Sequence, residues 1–199
     1  MNLLTDEEFY ETMSIINNSS QHLSNTIDDF RNFFSADKEI TSFNLNMPIE
    51  KVLKLIDSRL KTKDIEVVKN SVDLNIIGLE NEFIQVILNI LNNSIDAFKN
   101  SNYLKKLIFI DISKDKNNAI IIIKDNAGGI KEDIINRIFE PYFTTKHKSQ
   151  GTGIGLYMSL EIIQKHMHGT LSASNEEFNY DGENYKGAMF KIVLPLDEK

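Results

Sequence analysis

The sequence has 199 residues, 41% of them hydrophobic and 26% charged, with 9 Gly and 3 Pro. That mixture excludes collagen and low-complexity disorder, and the length is enough to bury a core unaided. There is no cysteine, which excludes disulfides, thiolate zinc sites and thiol nucleophiles and fits a reducing, cytoplasmic compartment.

The formal charge is −7, and it is unevenly spread: residues 1–40 hold eight acids and two bases, leaving 21 acids and 20 bases for the rest. No basic run marks nucleic acid or an anionic membrane as a partner. Asp6, Glu7 and Glu8 stand where a signal peptide needs a basic region, and the nearly apolar stretch 119–123 is far too short to span a bilayer. The charge break near residue 40 divides the chain into residues 1–40 and 41–199.

The first part reads as one long helix. Thr5 with Glu8 three residues on is a capping-box signal. Phe9, Met13, Ile16, Ser20, Leu23, Ile27, Phe30 and Phe34 then recur in alternating steps of four and three, the 3.5-residue seam of a bundle-forming helix. Such a stripe needs a partner, either a second copy of the chain, making a homodimer, or the helix's own domain.

Residues 35–41 are polar and end the helix, and the pattern becomes mixed α/β. Phe43 and Leu45 alternate as a short strand, and Pro48 opens a helix carrying Ile49, Val52, Leu53, Ile56 and Leu60. Ile65/Val67 and Val72/Leu74/Ile76 read as a strand pair. A helix runs from about Glu80 to Lys99, and residues 107–113 and 119–124 form a hairpin through residues 115–118. A short helix over 131–138 and a polar loop to Thr152 precede a helix over 154–167, with closing strands at 170–175 and 188–195. The fold class is a two-layer α/β sandwich: a mixed, mostly antiparallel sheet with helices on one face, preceded by the long helix.

Four segments carry chemistry. The run Gly151-Thr152-Gly153-Ile154-Gly155-Leu156 opens a helix, so its backbone N–H groups can face an anion, although an ordinary loop-to-helix junction has the same form. It is neither a P-loop nor a dinucleotide fingerprint, since no Lys-Ser/Thr follows and position 156 is Leu. On the 80–99 helix, Gln85, Asn89, Asn92, Asp96 and Lys99 make a polar strip that reads by default as solvated. Asn93 lies off the strip toward the apolar side. Asn89 and Asn93 offer two neutral oxygens at i, i+4, which suit Mg²⁺ already paired with phosphates. Asp125-Asn126-Ala127-Gly128-Gly129-Ile130 follows a β run, where a carboxylate can accept from an exocyclic amine; a simple turn is the alternative. Residues 137–146 are rich in aromatics and lead into a polar loop.

In order and spacing these segments resemble the C-terminal part of a bacterial sensor histidine kinase. The ATP-binding domain of those kinases is of the Bergerat type, shared with type II topoisomerases, the mismatch-repair ATPases and a heat-shock chaperone. Residues 89–97 resemble its N box, 125–130 its G1 box, 139–146 its F box and 151–156 its G2 box, with Gly187-Ala188-Met189-Phe190 before Leu194-Pro195 as the closing strand. The resemblance spans about residues 80–196.

It implies ATP and Mg²⁺ as cofactors, with Asn93 as the metal ligand and Asn89 helping to hold metal and phosphates. It implies Asp125 on the adenine amine, Gly129 allowing close approach and Ile130 lining the base, with Ala127 in place of a customary glycine. Gly151, Thr152, Gly153, Ile154, Gly155 and Leu156 would wrap the phosphates. Thr145 and Lys146 lead into a lid over residues 144–152, and Lys146 and Arg137 are candidates to neutralise the γ-phosphate. Hydrolytic relatives carry Glu where this chain has Asn89, and an amide cannot be a general base, so phosphate is expected to pass to a protein histidine and then to a response-regulator receiver domain. His22 is a poor match to an acceptor motif, so the acceptor helix is expected upstream and the parent protein could be membrane-anchored. His147, His166 and His168 read as structural or surface residues, the last two near helix-terminal carbonyls. A nucleotide-binding scaffold, or an ATPase or serine kinase of the same superfamily, are the alternative readings.

Overall fold

The computed structural model describes residues 39–100, 103–146 and 151–196, and seven isolated positions between 9 and 20. The expected first helix is therefore almost wholly outside the described residues, as are His22 and His147. Of its seam, Phe9, Met13 and Ile16 are helical and about half exposed, so at those positions the stripe is not covered by the rest of the chain.

The described core is a layer of helices on a five-stranded sheet. In chain order the elements are β1 (Thr41–Asn44), α1 (Asn46–Thr62), β2 (Ile65–Ser71), β3 (Asn75–Gly78) and α2 (Glu80–Ala97). They are followed by β4 (Lys106–Asp115), β5 (Asn118–Asp125), α3 (Gly155–Glu161), β6 (Thr170–Tyr180) and β7 (Glu183–Pro195). The main sheet has the order β2-β4-β5-β7-β6, antiparallel except for the parallel pair β2–β4, and β1–β3 form a separate two-stranded sheet.

Helical spacing explains the covering layer. Pro48, Ile49, Val52, Ile56 and Leu60 are the buried stripe of α1, with Pro48 in the first turn, where its missing N–H costs no helical bond. In α2 the buried face is broader, including Phe83, Val86, Ile87, Ile90, Leu91 and Ile95. Period-two alternation does the same for the sheet: Ile108, Ile110 and Ile112 of β4 and Ala119, Ile121 and Ile123 of β5 point into the helical layer. On the opposite face Leu107, Phe109 and Tyr185 form a smaller cluster with Phe178 and Tyr180. Lys124 Nζ stands 4.1 Å from the centre of the Phe178 ring there.

The structure corrects several sequence expectations. Residues 65–67 and 72–76 do not pair with each other: β2 runs parallel to β4, from Ile65 opposite Lys106 to Ser71 opposite Ile112, while β3 pairs with β1. The helix expected over 131–138 is only a 3₁₀ turn at Ile135–Arg137, too short a stretch to repay helix nucleation. The helix over 154–167 is α only to Glu161 and continues as a π turn, Ile162–His166, with Met167 N–H bonded five residues back to Ile162 O at 3.1 Å. The closing strands are longer than expected and join through Asp181-Gly182, both at positive φ (52° and 81°), the geometry of a tight hairpin.

Candidate functional site

Asp125 is the last residue of β5 and follows Ile121 and Ile123 on the face beneath the helices, so the pleat itself drives a carboxylate inward. It is 1% exposed. Its Oδ1 accepts from Ala127 N–H at 3.0 Å and Ala188 N–H at 3.2 Å, and neither donor falls on Oδ2. Burial pushes its pKa above the ordinary carboxylate range, against the pull of those two amides. Ser94 of α2 is buried, and its Oγ has no hydrogen-bond partner of normal geometry. It also adds a lesser downward pull on the Asp125 carboxyl.

The turn after Asp125 is fixed from three sides. Asn126, fully buried, accepts from Leu107 N–H through Oδ1 and donates to Lys105 O through Nδ2, both at 2.8 Å, so it finishes the neighbouring strand. Gly128 and Gly129 take φ of 100° and 85°, while Ala127 stays outside the left-handed region, where its methyl costs nothing. Asn175 of β6 clasps Ile130, accepting from its N–H at 2.7 Å and donating to its carbonyl at 2.6 Å. A Cβ on Gly129 would meet Asn175 Oδ1 at 2.7 Å, so this glycine is required by the protein's own side chain. Gly187 of β7 is more restrictive still: its Cβ would lie 1.6 Å from Asp125 O. Asn126, Asn175 and Gly187 were not among the expected site residues as Asp125 was, because each acts through a partner distant in sequence.

On α2 the polar strip is partly buried, except at the exposed Lys99. Asn89 Nδ2 donates to Gly155 O at 3.1 Å and Ser159 Oγ at 3.3 Å, fastening α2 to the start of α3. Asn92 accepts from Arg59 of α1. Lys146 Nζ donates to Asn93 Oδ1 at 3.2 Å and to Asp96 Oδ2 at 2.8 Å. Burial would raise the pKa of Asp96, but the hydrogen bond and charge of Lys146, with Lys99 and Arg59, hold it below the ordinary range. Asn93 Oδ1 therefore already faces a cation.

The glycine run closes on the aromatic segment. A Cβ on Gly153, at φ 67°, would come within 2.4 Å of Tyr142 C, and one on Gly151 within 2.7 Å of Thr144 Oγ1. Gly155 has no such constraint, its nearest neighbour being Asn89 at 3.5 Å. Thr152 Oγ1 accepts from Ile154 N–H at 3.3 Å, and Leu156, like Ile130, is partly buried against the core. Thr145 is exposed. Arg137 is paired with Glu140 at 3.2 Å and lies 4.6 Å from the Phe143 ring centre, both within its own aromatic segment. His166 Nδ1 lies 2.6 Å from Glu82 Oε2 of α2, a contact to a carboxylate across the helical layer.

The structure thus brings Asn89, Asn93 and Lys146 together at α2. Asn89 reaches Gly155 of the glycine run, and Ala127, Gly129 and Ile130 follow Asp125. Among the described residues no cluster of three His, Asp or Glu could hold a metal alone, and no helix is long and apolar enough to cross a membrane. A groove of about 460 Å³ lined by Leu53, Leu60, Ile65 and Val67 shares no residue with this site.

Residues 78–198 match the family of histidine kinase-, DNA gyrase B- and HSP90-like ATPases. The chain belongs to that family. It is 31% identical over 155 residues to sporulation kinase C of Bacillus subtilis, covering 76% of this chain and 33% of that protein. The nucleotide-free catalytic domain of histidine kinase ThkA superposes with a TM-score of 0.65 at 26% identity, covering 79% of this chain and 96% of that one. ThkA in complex with the response regulator TrrA gives a TM-score of 0.73 at 22% identity over 98% of this chain and 53% of that one, a likeness of fold alone. The chain spans about a third or less of the length of sporulation kinases A, C and E of Bacillus subtilis. The two-layer sandwich with a mostly antiparallel sheet is the fold of these catalytic domains.

Proposed function

We propose that this chain is the Mg–ATP-binding catalytic part of a two-component sensor histidine kinase, transferring the γ-phosphoryl group to a protein histidine for relay to a response-regulator aspartate. The observation that carries the reading is the pairing of a buried, inward-facing Asp125 with two asparagines on the adjoining helix, one of them already against an ammonium. Asp125 Oδ2 receives the adenine amine, while Oδ1 stays with Ala127 and Ala188. Ile130, held by Asn175, lines the base. Asn93 Oδ1, with a cation at 3.2 Å, has the neutral-oxygen character that Mg²⁺ accepts. When bound, Mg²⁺ would neutralise charge on the phosphates. Asn89 ties the metal-facing helix to Gly155, and the Gly151–Leu156 segment lies along the phosphates. Lys146 is the cation nearest the transferred group; Arg137 would have to leave Glu140 to join it.

With an amide at position 89, the chain has no general base there to activate water, which favours transfer over hydrolysis. Homodimerisation through the N-terminal seam is part of this proposal, supported by the exposure of Phe9, Met13 and Ile16. The test is calorimetric titration with ATP, with and without Mg²⁺, followed by the chemistry of any phosphoprotein formed. The chain alone is expected to bind Mg–ATP without labelling itself; with an acceptor-histidine domain supplied, the expected label is acid-labile and alkali-stable, as for phosphohistidine. Acid-stable label would assign the chain to the serine-kinase class, and no nucleotide binding would refute the proposal.

A further inference from the structure

Asp96 belongs to the strip that the spacing of α2 presents as solvent-facing, yet four cations converge on it. Lys146 Nζ hydrogen-bonds its Oδ2 at 2.8 Å, while Arg59, Lys99 and Lys63 stand 3.6, 3.7 and 3.9 Å from Oδ1. These cations come from α1, the segment after it, the 3₁₀ turn that follows α2 and the aromatic segment. Of the four, Lys146 alone is also bonded to Asn93 Oδ1, at 3.2 Å. An ammonium has three donors and no acceptor, so it can serve both oxygens at once, and the i, i+3 spacing of Asn93 and Asp96 puts those oxygens on one face.

We infer that Asp96 is a positioning residue for the metal site: it parks Lys146 on Asn93 Oδ1, so that a divalent cation must displace an ammonium to reach that oxygen. This rests on the reading of Asn93 as metal ligand. Asp96 shares its charge among four cations, so its hold on Lys146 is divided. On displacement Lys146 leaves one acceptor and keeps the other, remaining tethered beside the phosphates. Metal and lysine are thereby made competitors for a single oxygen.

The test uses ADP, which lacks the γ-phosphate that Lys146 would otherwise contact. The Mg²⁺ concentration giving half-maximal ADP binding is measured calorimetrically for the wild type and for Lys146→Met, Asp96→Asn, Asp96→Glu and Lys99→Met. It is expected to fall about fivefold in Lys146→Met and Asp96→Asn, the worth of one net hydrogen bond, and to return to the wild-type value in Asp96→Glu. A simple field effect has the opposite sign for Asp96→Asn, because losing a carboxylate beside a cation site weakens the metal. A rise in Asp96→Asn, or an equal fall in Lys99→Met, would overturn the inference.

A second readout needs no ligand: amide hydrogen exchange at residues 142–146 is expected to quicken in Lys146→Met and Asp96→Asn but not in Lys99→Met, and unchanged exchange would also overturn it. Wild-type protein that binds ADP without Mg²⁺ dependence, or not at all, would remove the nucleotide-site reading and this inference with it. Mg²⁺-dependent wild-type binding with all variants alike would remove this inference only.

Discussion

Gly187→Ala places a methyl where the structure has no room, far along the chain from any residue expected to touch nucleotide. The added Cβ would sit 1.6 Å from Asp125 O and 2.5 Å from Asp125 C, against a practical floor of 3.0 Å, so strand β7 and the end of β5 must part by about 1.4 Å. Both obstructing atoms are backbone, so no side-chain rotation relieves them. The separation strains two hydrogen bonds that cross the same junction, Ala188 N–H to Asp125 Oδ1 at 3.2 Å and Gly128 N–H to Lys186 O at 2.9 Å. Overpacking of this kind costs about 1–3 kcal/mol, and the two weakened hydrogen bonds, of which only the Ala188 one is buried, add about 1–2 kcal/mol, for a loss of roughly 2–5 kcal/mol.

Urea unfolding measures that loss, and ATP titration under native conditions measures what remains of the site. Because the shift is of ångström scale and centred on Asp125, ATP affinity of the folded variant is expected to fall by at least roughly tenfold. Gly128→Ala is the control: nothing lies within 4 Å of its Cβ, and its φ of 100° leaves only backbone strain of about 1–2 kcal/mol. Gly187→Ala within 0.5 kcal/mol of wild type, with unaltered ATP affinity, would refute the reasoning; that margin is about the ordinary scatter of surface substitutions.

Asn93→Ala is expected to remove the Mg²⁺-dependent part of ATP binding while leaving the unfolding midpoint near wild type, since Asn93 is only half-buried; unchanged Mg²⁺ dependence would contradict its ligand role. Asn175→Ala strips both hydrogen bonds from Ile130 and should cost about 1–3 kcal/mol in urea unfolding together with weaker ATP binding; loss of neither would show the clasp to be idle. Asp125→Asn tests the sign of a pKa shift. Burial raises the folded-state pKa of Asp125 above its unfolded value, so the native state holds the extra proton longer. Wild-type stability contributed by that proton is present below the ordinary Asp range and lost as pH rises through the raised value. Unfolding series across that window should show the Asn variant gaining on wild type as pH rises; parallel curves would contradict the shift.

Much of this architecture is legible in the sequence where periodicity is strong. The stripes of α1 and α2 and the alternation of β4 and β5 are each set by residues within one element, and that alternation also places Asp125 on the inward face. Periodicity names a face but not a neighbour, which is why β2 and residues 72–76 were joined in expectation although β2 lies beside β4 across an α2 crossover. The β6–β7 hairpin was cut short for a different reason. Glu176 and Glu177 interrupt the apolar alternation, although Asp181-Gly182 five residues on carried the turn signal.

At the site, residue types at fixed local spacing could be read, among them Asn89, Asn93 and the glycines. What spacing could not supply is what each touches. A Cβ at 129 or 151 would crowd the Asn175 or Thr144 side chain, and one at 153 would meet the Tyr142 backbone. Lys146 reaches Asp96 across 50 residues of chain.

The central claim is that an adenine nucleotide lies between the two-asparagine helix and the Gly151–Gly155 segment, with its base on Asp125. Backbone amide chemical shifts followed during titration with ATP and Mg²⁺ test it directly. The account predicts saturable perturbations at Asn93, at Asp125 through Ile130 and at Gly151 through Gly155, with those around Asp125 absent in Asp125→Asn. Perturbations confined to other surfaces, such as the groove beside Leu53 and Val67, or none at saturating nucleotide, would contradict it.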